Sequence, residues 1–186
     1  MAKLVYSTIM SLDGYTADEK GNFDWGTPDE EVFAFINDLE REDGTYLYGR
    51  RMYETMVYWE TYEVTDDDPP YIRDFTEMWR AADKIVYSRT LTEVSSTKTT
   101  IEHEFDSEAV LRLKGTSEHD LSVGGPDLAS QMMAAGILDE VHLFVAPIAI
   151  GAGNPALSSN FHSNLELLNV DRFASGDVHL HYRTNC

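Results

Sequence analysis

The chain has 186 residues, 42% of them hydrophobic and 11% aromatic, which is enough for one well-buried core and short for two. Its 14 Lys and Arg stand against 33 Asp and Glu, a formal net charge of −19 that repels phosphate backbones and anionic lipid and so speaks against nucleic acid or a membrane surface as a partner. No apolar run approaches the roughly 18 residues of a membrane span, and the single cysteine, Cys186, is the last residue, so the expectation is one cytoplasmic domain over residues 1–186 without an intrachain disulfide. The acidic excess fits either adaptation to high salt or plain solubility.

The first predicted element is an apolar strand over 3–12, ended by the turn Asp13-Gly14. Phe23-Asp-Trp-Gly-Thr-Pro-Asp-Glu30 then leads into a helix over 29–40, whose Val32, Phe33, Phe35, Ile36 and Leu39 fall mostly on one face. Thr27-Pro-Asp-Glu30 reads as a capping box, with threonine as N-cap, proline in the first turn and Glu30 reaching back. Strand 45–48 passes through Gly49 into a helix over 51–59, with Arg50 and Arg51 at the junction. The acidic loop Asp66-Asp-Asp-Pro-Pro70 precedes a helix over 71–82, and strand 84–87 ends in Ser88-Arg89.

Further strands are predicted over 99–105, 120–123, 140–147 and 178–182, and helices over 107–114 and 127–135. Strands interleaved with helices imply an α/β fold, and two final strands with no helix between them imply an antiparallel element.

Asp120-Leu-Ser-Val-Gly-Gly-Pro-Asp-Leu-Ala-Ser130 carries the most chemistry. Paired glycines let a ligand approach the backbone, proline is preset for the first helical turn, and the unpaired N–H groups of that turn attract an anion such as a pyrophosphate. The plain alternative is an ordinary strand-to-helix turn. Two other strand ends tip the balance, because Arg50, Arg51 and Arg89 are scarce cations in an acidic chain and suit an anionic ligand, with surface ion pairing as the competing use.

Several chemistries lack their motifs. The dinucleotide-binding Gly-x-Gly-x-x-Gly, the Walker A loop, the Gly-x-Ser-x-Gly elbow and His-Glu-x-x-His do not occur. His179 and His181 would share one face of a strand, but no third ligand is evident and an edge strand with polar side chains outward explains them better; His103, His119, His142 and His162 are scattered. No metal is assigned.

Taken in order, Ser11-Leu-Asp-Gly14, Tyr48-Gly-Arg-Arg-Met-Tyr-Glu54, Tyr87-Ser-Arg89, Ser122-Val-Gly-Gly-Pro126, Asp139-Glu-Val-His-Leu-Phe-Val-Ala-Pro147 and Gly151-x-Gly153 resemble the dihydrofolate reductase-like family, in particular stand-alone relatives of the reductase domain of bacterial riboflavin biosynthesis enzymes. The resemblance runs from end to end. It implies a three-layer fold with a mostly parallel central sheet and a C-terminal antiparallel hairpin, and NADPH lying across the carboxyl ends of the strands. By the same resemblance Gly49, Arg50 and Arg51 meet the cofactor phosphates, Ser88 and Arg89 bracket the 2′-phosphate, Gly124 and Gly125 admit the pyrophosphate, and Thr16 and Ala17 lie near the nicotinamide.

Glu30, or its neighbour Asp29, falls where the family grips its heterocycle; Asp13 is a second candidate acid, and Phe23 and Trp25 are expected to wall the substrate pocket. Two departures stand out. Met52 replaces a hydroxyl residue that contacts phosphate, and Asp127 replaces a positive one, so Asp127 is expected to cap its helix instead.

The implied activity is NADPH-dependent hydride transfer to a small pterin-like or pyrimidine-like heterocycle. The alternatives are a riboflavin-pathway reductase acting on a 5-amino-6-ribosylaminouracil phosphate, with Arg73, Arg80 or Lys84 as the additional basic contact, or a nucleotide-binding protein without turnover. A homodimer is expected on general frequency.

Overall fold

A computed structural model describes residues 1–157 and 163–185; His162 and Cys186, singled out above, lie outside the described residues. At the centre is β1 (Leu4–Ser11), with β6 (Asp120–Gly124) on one side and β7 (Glu140–Ala146) on the other, both parallel to it. Beyond β6 lie β3 (Asp43–Gly49), β4 (Asp83–Tyr87) and β5 (Thr99–Glu102), again parallel. Beyond β7, β10 (Val178–Thr184) runs antiparallel, and β9 (Leu165–Arg172) closes the eight-stranded sheet as its edge. A small antiparallel pair, β2 (Tyr15–Ala17) and β8 (Asn154–Pro155), sits apart from it.

The apolar runs of β1, β6 and β7 follow from burial on both faces, as a parallel sheet covered by helices requires. One face carries Leu4, Tyr6, Leu47, Leu121, Val123, Val141 and Leu143, packed with residues of α5 (Ser107–Thr116) and α6 (Pro126–Ala134). On the other, α1 (Glu30–Glu40) lays Val32, Phe35, Ile36 and Leu39 on Ile9, Phe144 and Phe173, and α4 (Pro70–Ala81) sets Phe75 and Trp79 against Tyr46, Tyr48 and Val86. Tyr46 and Tyr48 alternate with Leu47, so the pleat feeds both layers.

Several expectations are corrected. The helix expected over 51–59 is two pieces, α2 (Arg50–Met56) and α3 (Tyr58–Thr61), meeting at Val57. The capping box is absent: Asp29, not Thr27, is the N-cap of α1, and its carboxylate accepts from the Val32 N–H at 2.9 Å. Asp127 stands exposed in the first turn of α6, while the N-cap is Gly125 without a side-chain bond.

β9 was not predicted. Its Leu167 and Val170 are about half exposed, so it shows neither clean alternation nor a buried run. Its presence places β10 inside the sheet, and His179 on β10 is buried rather than pointing outward from an edge.

Candidate functional site

The carboxyl ends of six parallel strands share one edge of the sheet, and the predicted site residues collect there. Register pairs Tyr48 with Gly124 and Gly49 with Tyr87, so the turns that carry Gly49-Arg51, Gly124-Gly125 and Ser88-Arg89 lie side by side. Gly49 and Gly125 are the N-caps of α2 and α6, and neither helix receives a side-chain cap. Helix amides left in this way favour an anion.

The two glycines of the β6 turn have separate causes. Gly125 holds φ +103, a conformation that L side chains rarely adopt, whereas a Cβ on Gly124 would lie 2.5 Å from the Tyr48 ring and 2.8 Å from Met52. Met52 thus fills space beneath the turn with an apolar chain.

The arginines divide into two kinds. Arg50 Nε binds Glu54 at 2.8 Å and Arg50 Nη1 binds the Thr90 hydroxyl at 2.9 Å, tying α2 to the loop after β4. The exposed Arg51 and Arg89 guanidinium groups have no partner among the described residues. Ser88 is buried, and its hydroxyl accepts from the Thr90 and Leu91 amides at 3.3 and 3.0 Å, which shapes the loop that carries Arg89.

Beside this station, the end of β1 meets the loop after β7. The exposed Asp13 carboxylate accepts from the Ile150 and Gly151 amides at 3.1 and 2.7 Å; the Ser11 hydroxyl and these amides hold it below the usual carboxylate range. Asp13 is therefore an ionised clamp on that loop. Thr16 donates to the Asn154 carbonyl at 3.2 Å, and Ala17 pairs with Asn154 across β2 and β8.

The segment before α1 forms a short 3-10 turn, Asp24–Gly26, packed against β1 with Gly26 close to Ile9. Its Trp25 holds a buried indole N–H without a hydrogen-bond partner among the described residues, a donor that ordinarily finds one. Phe23 is half exposed, and Glu30 is exposed at the start of α1.

The three basic residues considered for an additional phosphate are all engaged. Lys84 is buried and donates to the Trp79 and Ala82 carbonyls at 2.8 Å, Arg80 binds the Trp59 and Tyr62 carbonyls, and Arg73 binds the Thr65 carbonyl.

A second polar cluster was not legible as a unit. His142, read as scattered, stacks between His179 and His181, and Glu140 lies beside His181. Cross-strand register assembles them: His181 pairs with His142, and Glu140 lies two residues along the same face. This cluster sits at the amino ends of the parallel strands, opposite the glycine turns.

A twisted, mostly parallel sheet that ends in an antiparallel pair and carries glycine turns at its carboxyl edge is a dihydrofolate reductase-like fold. The chain belongs to the family described as RibD C-terminal domain, whose model matches residues 2–179. The uncharacterized protein YyaP of Bacillus subtilis is 27% identical over 98% of this chain and 95% of its own. A Thermotoga maritima diaminohydroxyphosphoribosylaminopyrimidine deaminase/5-amino-6-(5-phosphoribosylamino)uracil reductase superposes with a TM-score of 0.68 at 18% identity, covering 99% of this chain and 57% of that one. Dihydrofolate reductase from Enterococcus faecalis, in complex with NADP(H) and RAB-propyl, gives 0.64 at 12% identity over 99% of this chain and 97% of that one. The family and the fold are those of reductases. No helix among the described residues is long and apolar enough to cross a membrane.

Proposed function

We propose that this protein is an NADPH-dependent reductase of a small heterocycle. The observation that carries the reading is the convergence, on one sheet edge, of two helix starts without side-chain caps and two arginines without partners among the described residues, Arg51 and Arg89. Cationic groups are scarce in a −19 chain, so two left unpaired beside open amides fit a phosphorylated ligand.

In this reading Gly124-Gly125 and Gly49 admit the pyrophosphate, and Arg51 and Arg89 face the 2′-phosphate. Ser88 shapes the Arg89 loop and Arg50 anchors it. Thr16 and Ala17 line the nicotinamide side, where Asp13 fixes the adjoining loop. NADPH supplies the hydride, and the chain supplies position, exclusion of water and polarity.

Trp25 and Phe23 wall the substrate side, and the unpartnered Trp25 N–H matches a ring nitrogen or carbonyl acceptor. Glu30 is the proton donor or ring anchor, free of the capping duty that Asp29 discharges. Small pterins and pyrimidines are favoured over a ribosylaminouracil phosphate, because Arg73, Arg80 and Lys84 are committed to backbone carbonyls. A homodimer in the cytoplasm completes the proposal; the half-exposed Leu167 and Val170 on edge strand β9 offer apolar area for such a contact.

The test is oxidation of NADPH, followed by absorbance, against a panel of dihydropterins, dihydrofolate, pyrimidines and the ribosylaminouracil phosphate. Turnover with one of the unphosphorylated heterocycles supports the reading. NADPH binding with no turnover across the panel points to a nucleotide-binding protein, and turnover confined to the ribosylaminouracil phosphate points to the riboflavin-pathway activity.

A further inference from the structure

At the end of the sheet opposite the glycine turns, the amino ends of β1, β3, β6 and β7 and the carboxyl end of α1 enclose a cavity of about 220 Å³. We propose that Glu140, His142 and His181 bind a divalent transition-metal ion there, with an open coordination position facing this cavity.

The ligands come from two neighbouring strands. His142 on β7 and His181 on β10 are directly opposed, with ring centroids 4.0 Å apart, and Glu140 lies on the same face. One donor atom from each of the three lies within 4.8 Å of the others, so small side-chain rotations reach metal–ligand distances of about 2.0–2.2 Å. Two imidazoles and a carboxylate form the donor set of zinc and non-haem iron(II) sites that keep open positions.

A hydrogen-bonded chain behind the cluster fixes which nitrogen is available. The Asp171 carboxylate lies 2.9 Å from His179 Nδ1, and His179 Nε2 lies 2.9 Å from His142 Nδ1. An ionised carboxylate only accepts, so His179 holds its proton on Nδ1, and His142 donates its own Nδ1 proton to His179 Nε2. The lone pair of His142 then sits on Nε2. That atom has no partner among the described residues, although His142 is only 6% exposed and lines the cavity. A histidine whose second nitrogen donates into such a chain has the outer support of a metal ligand.

The surroundings suit a cation. The cavity wall carries the carboxylates of Glu42, Asp120 and Glu140, with the carboxyl groups of Glu40 and Asp43 beside them, against one lysine, Lys3, whose ammonium lies 3.1 Å from Glu140. The Lys3 side chain is about half exposed and free to swing into solvent when an ion takes Glu140.

The experiment is titration of chelator-treated protein with Co²⁺, read by visible absorption, and with Zn²⁺, read by calorimetry. One ion per chain is expected. His181→Gln and His142→Gln should each remove saturable uptake, Asp171→Asn should weaken it about 10–100-fold through the tautomer chain, and His103→Gln should change nothing. His181 is partly exposed, so its replacement tests the site whatever His142→Gln does to folding. Zn²⁺ should also raise the thermal midpoint of the wild type but not of His181→Gln. Absence of one-to-one uptake, uptake unchanged in His181→Gln, or equal competition by Mg²⁺, which marks binding by surface carboxylates, would overturn the assignment.

Discussion

Glu30 and Asp29 are neighbours with separable work, which the sequence could not apportion because both suit a helix start. Asp29 accepts the Val32 amide, so Asp29→Ala should lower unfolding stability by about 1 kcal/mol in urea melts. Glu30 carries no capping bond, and Glu30→Gln should leave that stability within error while cutting the reduction rate roughly 10²–10⁴-fold if it is the proton donor. An unchanged rate would move the proton source elsewhere in the pocket. The placement of Gly49, Arg51, Arg89 and the Gly124-Gly125 pair at neighbouring strand ends was legible from sequence because strand ends and glycines leave local traces. The split between anchored Arg50 and unpaired Arg51 was not, since it depends on Thr90, forty residues away.

Elements follow the same rule. Strands β1, β3, β4, β6 and β7 and helices α1, α4, α5 and α6 were readable because each sends apolar side chains into the core, whereas β9 needs β10 beside it to exist as a strand. His142, His179 and His181 come together only through the register of β7 and β10, and no sequence period contains that pairing. At the turn into α6, Gly125→Ala should destabilise the fold by about 1–3 kcal/mol, because alanine strains at φ +103 whether or not a ligand is present. A thermal midpoint matching the wild type would contradict the turn geometry. Where α1 and β3 meet, burial raises the carboxyl pKa values of Glu40 to about 7 and Asp43 to about 8. Both exceed their unfolded values of roughly 4, so their stabilising contribution is complete below about pH 4 and is lost as pH rises through 7 to 8. In chelator-treated protein, stability should therefore fall between about pH 5 and 8, and Asp43→Asn should flatten that slope. An identical slope in the variant would show that Asp43 is not the group that titrates.

The molecule as a whole is a −19 particle that keeps two cations, unpaired among the described residues, on one sheet edge, and its self-repulsion and the ligand preference proposed for it follow from the same imbalance. If the acidic surface is adapted to salt, the thermal midpoint should rise from dilute buffer to molar KCl as screening relieves repulsion. Equal stability in both would assign the charge to solubility alone. The resemblance in sequence gave the whole-chain architecture because its motifs sit at strand ends in a fixed order, while the proposed substrate wall of Trp25, Phe23 and Glu30 carries no motif that names its occupant. In the proposed function Arg51 and Arg89 read a 2′-phosphate, and calorimetric titration with NADPH and NADH tests this most directly. NADPH should bind more tightly by at least about tenfold, each charge-assisted bond being worth roughly 1.5–3 kcal/mol, and the preference should collapse in Arg51→Ala/Arg89→Ala. Equal affinity for the two cofactors, or a preference that survives in the double variant, would contradict it.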